Sequence, residues 1–381
     1  MEDIVLAPGR YKDLHKSVSL SEKIQGLHQM IQQDFPYIHR VAVALYDREM
    51  NALKTFVQSA KDLPLQFYEC LMENAPSLME IKALKKNRLV NDMTVFKNGT
   101  HEHTQKIASK GYQASYSVPL FDCDAFIGML FFNSYQKKVF KKQDLTTLDL
   151  YAQLINSLMV NKLQSTQMLV GSFRSCLSLV SYKDPETGNH LERMARYARL
   201  IARALAKEGH PGLTDEFIEN LFLFAPLHDI GKIGIPDNIL LKPGRLDEEE
   251  WKIMQTHSSK GKDIIDAIAG HLGLQSFEHL PLLQNISGSH HETIDGKGYP
   301  NQLKKDEIPI ETQIVSVADI FDALTSHRSY KPAWSNDAAF EELKRLSGTK
   351  LNPDCIRVLI ENAAAVKAIQ KRFADAPGGH A

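Results

Sequence analysis

The sequence holds no Cys-x-x-Cys pair, and its four cysteines, Cys70, Cys123, Cys176 and Cys355, lie far apart. That spacing excludes a zinc ribbon and a disulfide framework, and the thiols read as buried groups in a reducing compartment. No apolar run of about 18 residues occurs, which excludes a membrane-spanning helix. The first residues, MEDIVLAPGRYKDLHKS, have neither the basic start nor the apolar stretch of an export signal. A cytoplasmic protein with no membrane partner is expected. Charge of one sign is not in excess either: 45 Lys and Arg face 46 Asp and Glu, a formal net charge of -1. No basic field exists to hold polymeric nucleic acid by counterion release.

What is present is a globular composition, 43% hydrophobic and 24% charged over 381 residues, enough for two domains at roughly 150 residues each. Between Val41 and Phe56, VAVALYDREMNALKTF places β-branched and aromatic residues on both sides of a polar stretch, the pattern of two strands and a turn. SYSVPLFDCDAFIGMLFFNS repeats it around Asp122-Cys123-Asp124. With helical segments near 20–33 and 65–84, these predict an α/β domain over 1–143. From Asp144 to Leu169 there is no Gly or Pro, and Leu148, Tyr151, Ile155 and Leu158 follow a 3-4-3 seam that slips at Lys162. This connecting helix, 144–170, reads either as a dimerising connector, giving a homodimer, or as a plain buried amphipathic helix. Beyond it strand signals stop, and 190–208, 214–229, 247–270, 310–325 and 335–347 carry helical spacing. The expected fold class is α+β with two domains, the second, 171–381, nearly all-α.

Histidines of this second domain sit repeatedly beside carboxylates, in DPETGNH, LHDIGK, THSSKG, SHHE and, further on, the acidic SVADIFDAL. Singly, each reads as an ordinary satisfied histidine; together, nitrogen and carboxylate donors without thiolate suit first-row divalent metals. His228-Asp229 and His290-His291 point roughly 100° apart if helical, so each pair can serve two neighbouring ions rather than chelate one. Glu186 and His190 share a face if the helix has already begun, a start that Pro185 and Gly188 leave open. Asp319 and Asp322, at i and i+3 in the apolar IVSVADIFDALTS, project from one face of a helix that should be buried. Buried carboxylates are costly unless paired, so a metal or another cation is expected beside them. Two loops rich in glycine and proline, Gly231–Gly244 and Gly288–Pro300, are placed to frame the site.

The segments HDIGKIGIPDNILLKPGRL, THSSKGKDII, HHETIDGKGYP and SVADIFDALTSHRSYKPAW, in this order, resemble the HD-GYP subgroup of the HD phosphohydrolases. The resemblance implies a helical domain holding two or three metal ions, usually iron or manganese, that hydrolyses cyclic di-GMP or a related cyclic dinucleotide. Carried over by position, it implies Glu186, His190, His228, Asp229, His257, His290, His291 and Asp319 as ligands, with Glu186 the mark of a third metal. Metals about 3.5–4 Å apart turn a bridging water into hydroxide near neutral pH, and Asp229 and Asp319 would be the bridges. Lys232 would neutralise a non-bridging phosphate oxygen, or else cap a helix end. Asp322 would position the water or protonate the leaving 3′-oxygen, against a competing structural hydrogen bond to a loop. Arg328 and Lys331 would serve the second phosphate and a guanine edge, unless they are solvated surface charges. Tyr299, in the turn-prone Gly296–Pro300 loop, could stack on a base, and in the subgroup this loop is suspected of meeting partner proteins that synthesise the nucleotide. Thr293, Gln302 and Ser329 replace a common basic residue, glycine and proline, which leaves the choice between cyclic di-GMP and hybrid cyclic GMP-AMP open. The order of elements from about 20 to 165 resembles a GAF domain and implies a regulatory role. The competing readings are a catalytically weak nucleotide receptor and an HD hydrolase acting on another phosphoester.

Overall fold

Two hairpins build the first part of the chain, as the alternation predicts: β1 (Arg40–Asp47) with β2 (Ala52–Gln58), and β5 (Ala114–Asp122) with β6 (Ala125–Ser134). The computed structural model describes residues 18–60, 65–96, 102–181, 188–275, 277–326 and 333–374. Short strands β3 (Glu69–Leu71) and β4 (Arg88–Val90) complete an antiparallel sheet of order β3-β2-β1-β6-β5-β4. Register in the centre pairs Val41 with Phe132 and Val43 with Leu130. The period-two pleat sends these four side chains to one face, where they meet Ile24, Leu27 and Ile31 of α1 (Leu20–Asp34). Leu53, Met129 and Phe131 point to the other face, against Leu78 and Ile81 of α2 (Pro76–Leu84). The helix expected over 65–84 therefore starts only at Pro76, whose fixed φ and missing N–H suit a first turn, and the residues before it pair as an edge strand. A further helix, α3, spans Glu102–Ser109.

The expected connector is α4, a helix of 40 residues from Lys142 to Ser181. The chain divides within it, into units Met1–Thr166 and Gln167–Ala381. Leu148, Tyr151 and Ile155 are buried in the first unit's own core together with α1 and the sheet, and Leu158 packs against that core. The seam is thus taken up within the unit, as the plain amphipathic reading has it. Cysteine burial holds at Cys70 and Cys355 but not at Cys123, which is exposed in the β5–β6 turn. Its φ of 52° explains this, because a left-handed turn residue points away from the sheet. The Cys176 side chain lies outside the described residues.

The second unit is helical: α5 (Gly188–Lys207), α6 (Asp215–Phe224), α7 (Asp237–Leu240), α8 (Glu248–Gln255), α9 (His257–His271), α10 (Leu280–Ser289), α11 (Ile310–Thr325), α12 (Asn336–Leu346), α13 (Pro353–Glu361) and α14 (Ala363–Arg372). On α5, Met194, Tyr197, Ala198, Ile201, Ala202 and Leu205 form a buried helical stripe. Tyr197 meets Phe321 of α11 edge-on, with centroids 5.2 Å apart. The helix expected over 214–229 stops at Phe224, because Pro226 opens a tight turn, Ala225–Leu227, followed by a second, Ile230–Gly234. The helix expected over 247–270 is two, α8 and α9, meeting at Thr256.

Candidate metal centre

Helix ends and turns, rather than helix middles, carry most of the site. His228 and Asp229 lie between the two tight turns, His257 opens α9, and His290 and His291 follow α10. His190 sits near the start of α5, and Asp319 lies inside α11. The His190, His228, His257 and His290 side chains are all buried.

Hydrogen bonds set the tautomer of these rings. Nδ1 of His228 faces Ala225 O at 3.0 Å, that of His257 faces Met254 O at 2.8 Å, and that of His290 faces the carbonyls of Ile286 and Ser287, each at 3.1 Å. A carbonyl oxygen only accepts, so each Nδ1 donates and a neutral ring leaves Nε2 as a lone pair. For His190 the Nδ1 partner is Asp322 Oδ2 at 2.7 Å, with the same consequence.

The Nε2 atoms converge on aspartate oxygens in two groups. Asp229, His257, His290 and His291 form one and His190, His228 and Asp319 the other, each with ligand atoms within 4.8 Å of one another. Asp229 Oδ1 lies 3.3 Å from His257 Nε2 and 3.4 Å from His290 Nε2, and its Oδ2 lies 3.3 Å from His228 Nε2. Asp319 Oδ1 is 3.8 Å from both His228 Nε2 and His190 Nε2. One carboxylate therefore faces both groups. Asp229 Oδ1 is buried and receives no hydrogen bond, although two ring nitrogens stand beside it. His257 Nε2 and His290 Nε2 are themselves 3.3 Å apart. Lone pairs facing lone pairs in a buried space repel unless a cation lies between them, so the residues present fit divalent metal ions.

Electrostatics keeps these donors in the ligating state. Burial pushes the Asp229 carboxyl up, but its neighbours, the Lys232 ammonium foremost, hold it well below the usual carboxylate range. Burial depresses the His290 and His291 rings, so both are neutral near pH 7. Lys232, expected to face phosphate, places Nζ 2.9 Å from Asp229 Oδ2.

Asp322 corrects the expectation set for it. Its carboxylate is fully buried and accepts from His190 Nδ1, from Arg193 Nε at 2.8 Å and from Ser326 Oγ at 2.7 Å. It stands behind His190 and orients that ring instead of facing water or a leaving group. Burial raises its pKa, and His190 and Arg193 outweigh burial and hold it low. Tyr299 stacks on His291, with centroids 4.6 Å apart and planes 27° apart, and lies 6.2 Å from His257. Glu186, Arg328 and Lys331 lie outside the described residues, as does Ser329.

One contributor escaped sequence reasoning, and one glycine of the turn-prone loop has a tighter role than turn propensity implies. Glu292 is 3% exposed, and its carboxylate accepts from Asn301 N at 2.7 Å and Leu303 N at 2.9 Å, closing the loop that carries Tyr299. At Gly298 an added Cβ would fall 2.4 Å from Thr293 N and 2.6 Å from His291 O, so only glycine lets the loop fold back. The buried acid directly after the paired histidines was the available signal. A further group, Glu216, Glu278 and His279, is held by a hydrogen bond of its own, with His279 Nε2 3.2 Å from Glu216 Oε1.

The buried histidines and aspartates of this helical unit converge on two adjoining positions that a cation can fill. The HD domain family model matches residues 174–355, and this unit is an HD domain, with the HD-GYP sequence pattern at His290–Pro300. Relatives include a cyclic di-GMP phosphodiesterase of Vibrio cholerae, 37% identical over 230 residues that cover 58% of this chain and 46% of the relative. The 3'3'-cGAMP-specific phosphodiesterase 2 of the same organism is 36% identical, over 58% of this chain and 39% of the relative. A cyclic di-GMP phosphodiesterase of Thermotoga maritima is 39% identical, over 53% and 51%. The matches span about half the length of these relatives or less. Among solved structures, the GAF domain/HD domain protein of Geobacter sulfurreducens aligns with 37% of this chain and 94% of its own, at 13% identity and a TM-score of 0.29. A likeness of that strength says nothing about a ligand or an activity. Among the described residues, no helix is long and apolar enough to cross a membrane.

Proposed function

We propose that this chain is a metal-dependent phosphodiesterase that opens a guanine-containing cyclic dinucleotide, cyclic di-GMP or the hybrid cyclic GMP-AMP, to its linear form, with mononucleotides the product of a second cut. The observation that carries this reading is Asp229, whose two oxygens face two separate histidine groups. That is the ligand arrangement an in-line displacement at phosphorus needs on both sides of the reacting centre. Two or three divalent ions, iron or manganese by the resemblance to the HD-GYP subgroup, would supply a hydroxide nucleophile near neutral pH and polarise the phosphoryl oxygens. His190, His228, His257, His290, His291 and Asp319 would hold them together with Asp229, and Glu186 would add a ligand for a third. The names of the relatives point to the same substrate class.

The remaining roles belong to side chains. Lys232 would exchange its contact with Asp229 for a phosphate oxygen and offset the charge developing there. Tyr299 would receive one base, and Arg328 with Lys331 would bind the second phosphate and a guanine edge. On this reading residues 1–143 regulate, 144–170 connect and 171–381 catalyse, and the Gly296–Pro300 loop is where a nucleotide-synthesising partner would dock.

The test is anaerobic turnover of both dinucleotides by metal-loaded protein, with products resolved by chromatography and metal content assayed on the same sample. Cleavage with two or more metals per chain is expected, and Asp229→Ala should lose metal and hydrolysis together. Full metal occupancy with neither dinucleotide cleaved would favour a receptor or another phosphoester, and normal turnover by Asp229→Ala would sink the mechanism.

A further inference from the structure

Helix α8 buries none of its residues, yet it carries a tryptophan. Trp251 is 48% exposed and so does not belong to the core. Its helix is nonetheless well anchored. Asp247 accepts from Glu250 N at 2.9 Å, Glu250 Oε2 accepts from Asp247 N at 2.9 Å, and Lys242 pairs with Glu250. Trp251 N donates to Asp247 O at 2.8 Å, which places the indole in the first turn of a doubly capped helix. An exposed indole on an anchored helix offers a large aromatic face for contact, and with two side-chain torsions it has little entropy to lose on binding.

Its neighbour identifies the contact. The indole lies 6.3 Å from the Tyr299 ring, with the two planes at 80°. Tyr299 in turn stacks on His291 and sits 6.2 Å from His257, both in the candidate metal centre. The rings thus run outward from the centre, and the last two meet at nearly a right angle with the indole about half exposed. A phosphate at the centre has its nucleoside within one or two ring widths, which is where this corner lies. Planar bases stack on aromatic faces whatever their hydrogen-bonding edge.

Resting on the phosphodiesterase reading, we propose that Trp251 is a substrate-binding residue that stacks on one purine base of the dinucleotide while Tyr299 closes the corner at its side. The role is in binding and not in bond cleavage, so loss of the indole acts on KM.

The experiment uses the full, metal-loaded chain and cyclic di-GMP, with steady-state turnover and indole emission measured on the same preparation. Trp251→Ala should raise KM for cyclic di-GMP roughly tenfold, the loss expected for one base stack, and keep kcat within about twofold. Trp251→Phe should recover most of the KM. Cyclic di-GMP should also quench indole emission in the wild type, and that quenching should disappear in Trp251→Phe. Unchanged KM in Trp251→Ala, or a loss carried by kcat alone, overturns the inference and leaves the phosphodiesterase reading standing. A wild type inactive on cyclic di-GMP and on cyclic GMP-AMP overturns that reading instead, and quenching by cyclic di-GMP then decides the role of Trp251 alone.

Discussion

Asp229 and Asp322 are both aspartates beside a buried histidine, and they serve opposite ends of the ring. Asp229 Oδ1 meets Nε2 lone pairs with no proton between them, while Asp322 takes the Nδ1 proton of His190 and the guanidinium of Arg193. The first needs a cation from outside; the second is satisfied by the chain itself. Asp322→Ala should therefore cost about 3–5 kcal/mol, because it leaves the Arg193 charge buried without its carboxylate. It should also weaken metal binding roughly 10- to 100-fold, since His190 loses the group that orients it. Thermal melting and metal titration check the two effects separately, and a variant with wild-type values in both would refute this assignment. Sequence spacing put Asp319 and Asp322 on one helix face with a metal or another cation expected beside them, and left Asp322 between a catalytic task and a structural hydrogen bond. Spacing does not reveal that Arg193, far away in the chain, occupies Asp322.

At the scale of elements, glycine decides how closely the ligand-bearing segments meet. An added Cβ at Gly231 would fall 1.8 Å from His257 O and 2.5 Å from Gly261 N, and one at Gly261 would fall 2.1 Å from Ser287 Oγ. The turn after Asp229 thus meets the start of α9 backbone to backbone, and α9 meets the end of α10 at the Ser287 hydroxyl, which is what brings Asp229, His257 and His290 together. Gly231→Ala should destabilise the protein by about 1–3 kcal/mol and lower its metal content, because the clash is with backbone that cannot rotate away. Gly171, inside α4, has nothing within 4 Å of an added Cβ. Gly171→Ala should instead stabilise by roughly 0.5–1 kcal/mol, the helix-propensity gain alone. Denaturant midpoints of the two variants compare them directly, and equal shifts would refute the packing argument. The loop carrying Tyr299 follows the same logic, held by Glu292 and passable only at Gly298.

Across the whole molecule, the first unit owns a sheet-and-helix core, and the described members of the metal centre all lie in the second unit. A ligand that binds only the folded second unit stabilises that unit, by about 2.7 kcal/mol at a concentration one hundred times its Kd. Removing metal with a chelator should lower the melting transition of the second unit and leave that of the first in place, and re-adding manganese or iron should restore it. Calorimetry of the full chain before and after chelation checks this. A scan unchanged by chelation, or a shift confined to the first unit, would contradict the placement of the site.

The sequence by itself determined a great deal here, for a physical reason. Strand alternation, the long helix without Gly or Pro, and the run of histidine beside carboxylate are local patterns, and local patterns are set by neighbours a few residues away. The two hairpins, the all-helical second half and most of the candidate ligands were legible on that basis. Other features depended on contacts between distant segments. The 3-4-3 seam of α4 is filled by α1 and the sheet, the helix expected over 214–229 breaks at Pro226, and Asp322 is claimed by Arg193. Trp251 and Tyr299, well separated in the chain, become neighbours only when α8 and the loop after His291 fold onto the same edge of the site. Residue type and spacing state which groups are available; which of them face a shared, water-poor space is decided by packing, and that is a property of the tertiary structure alone.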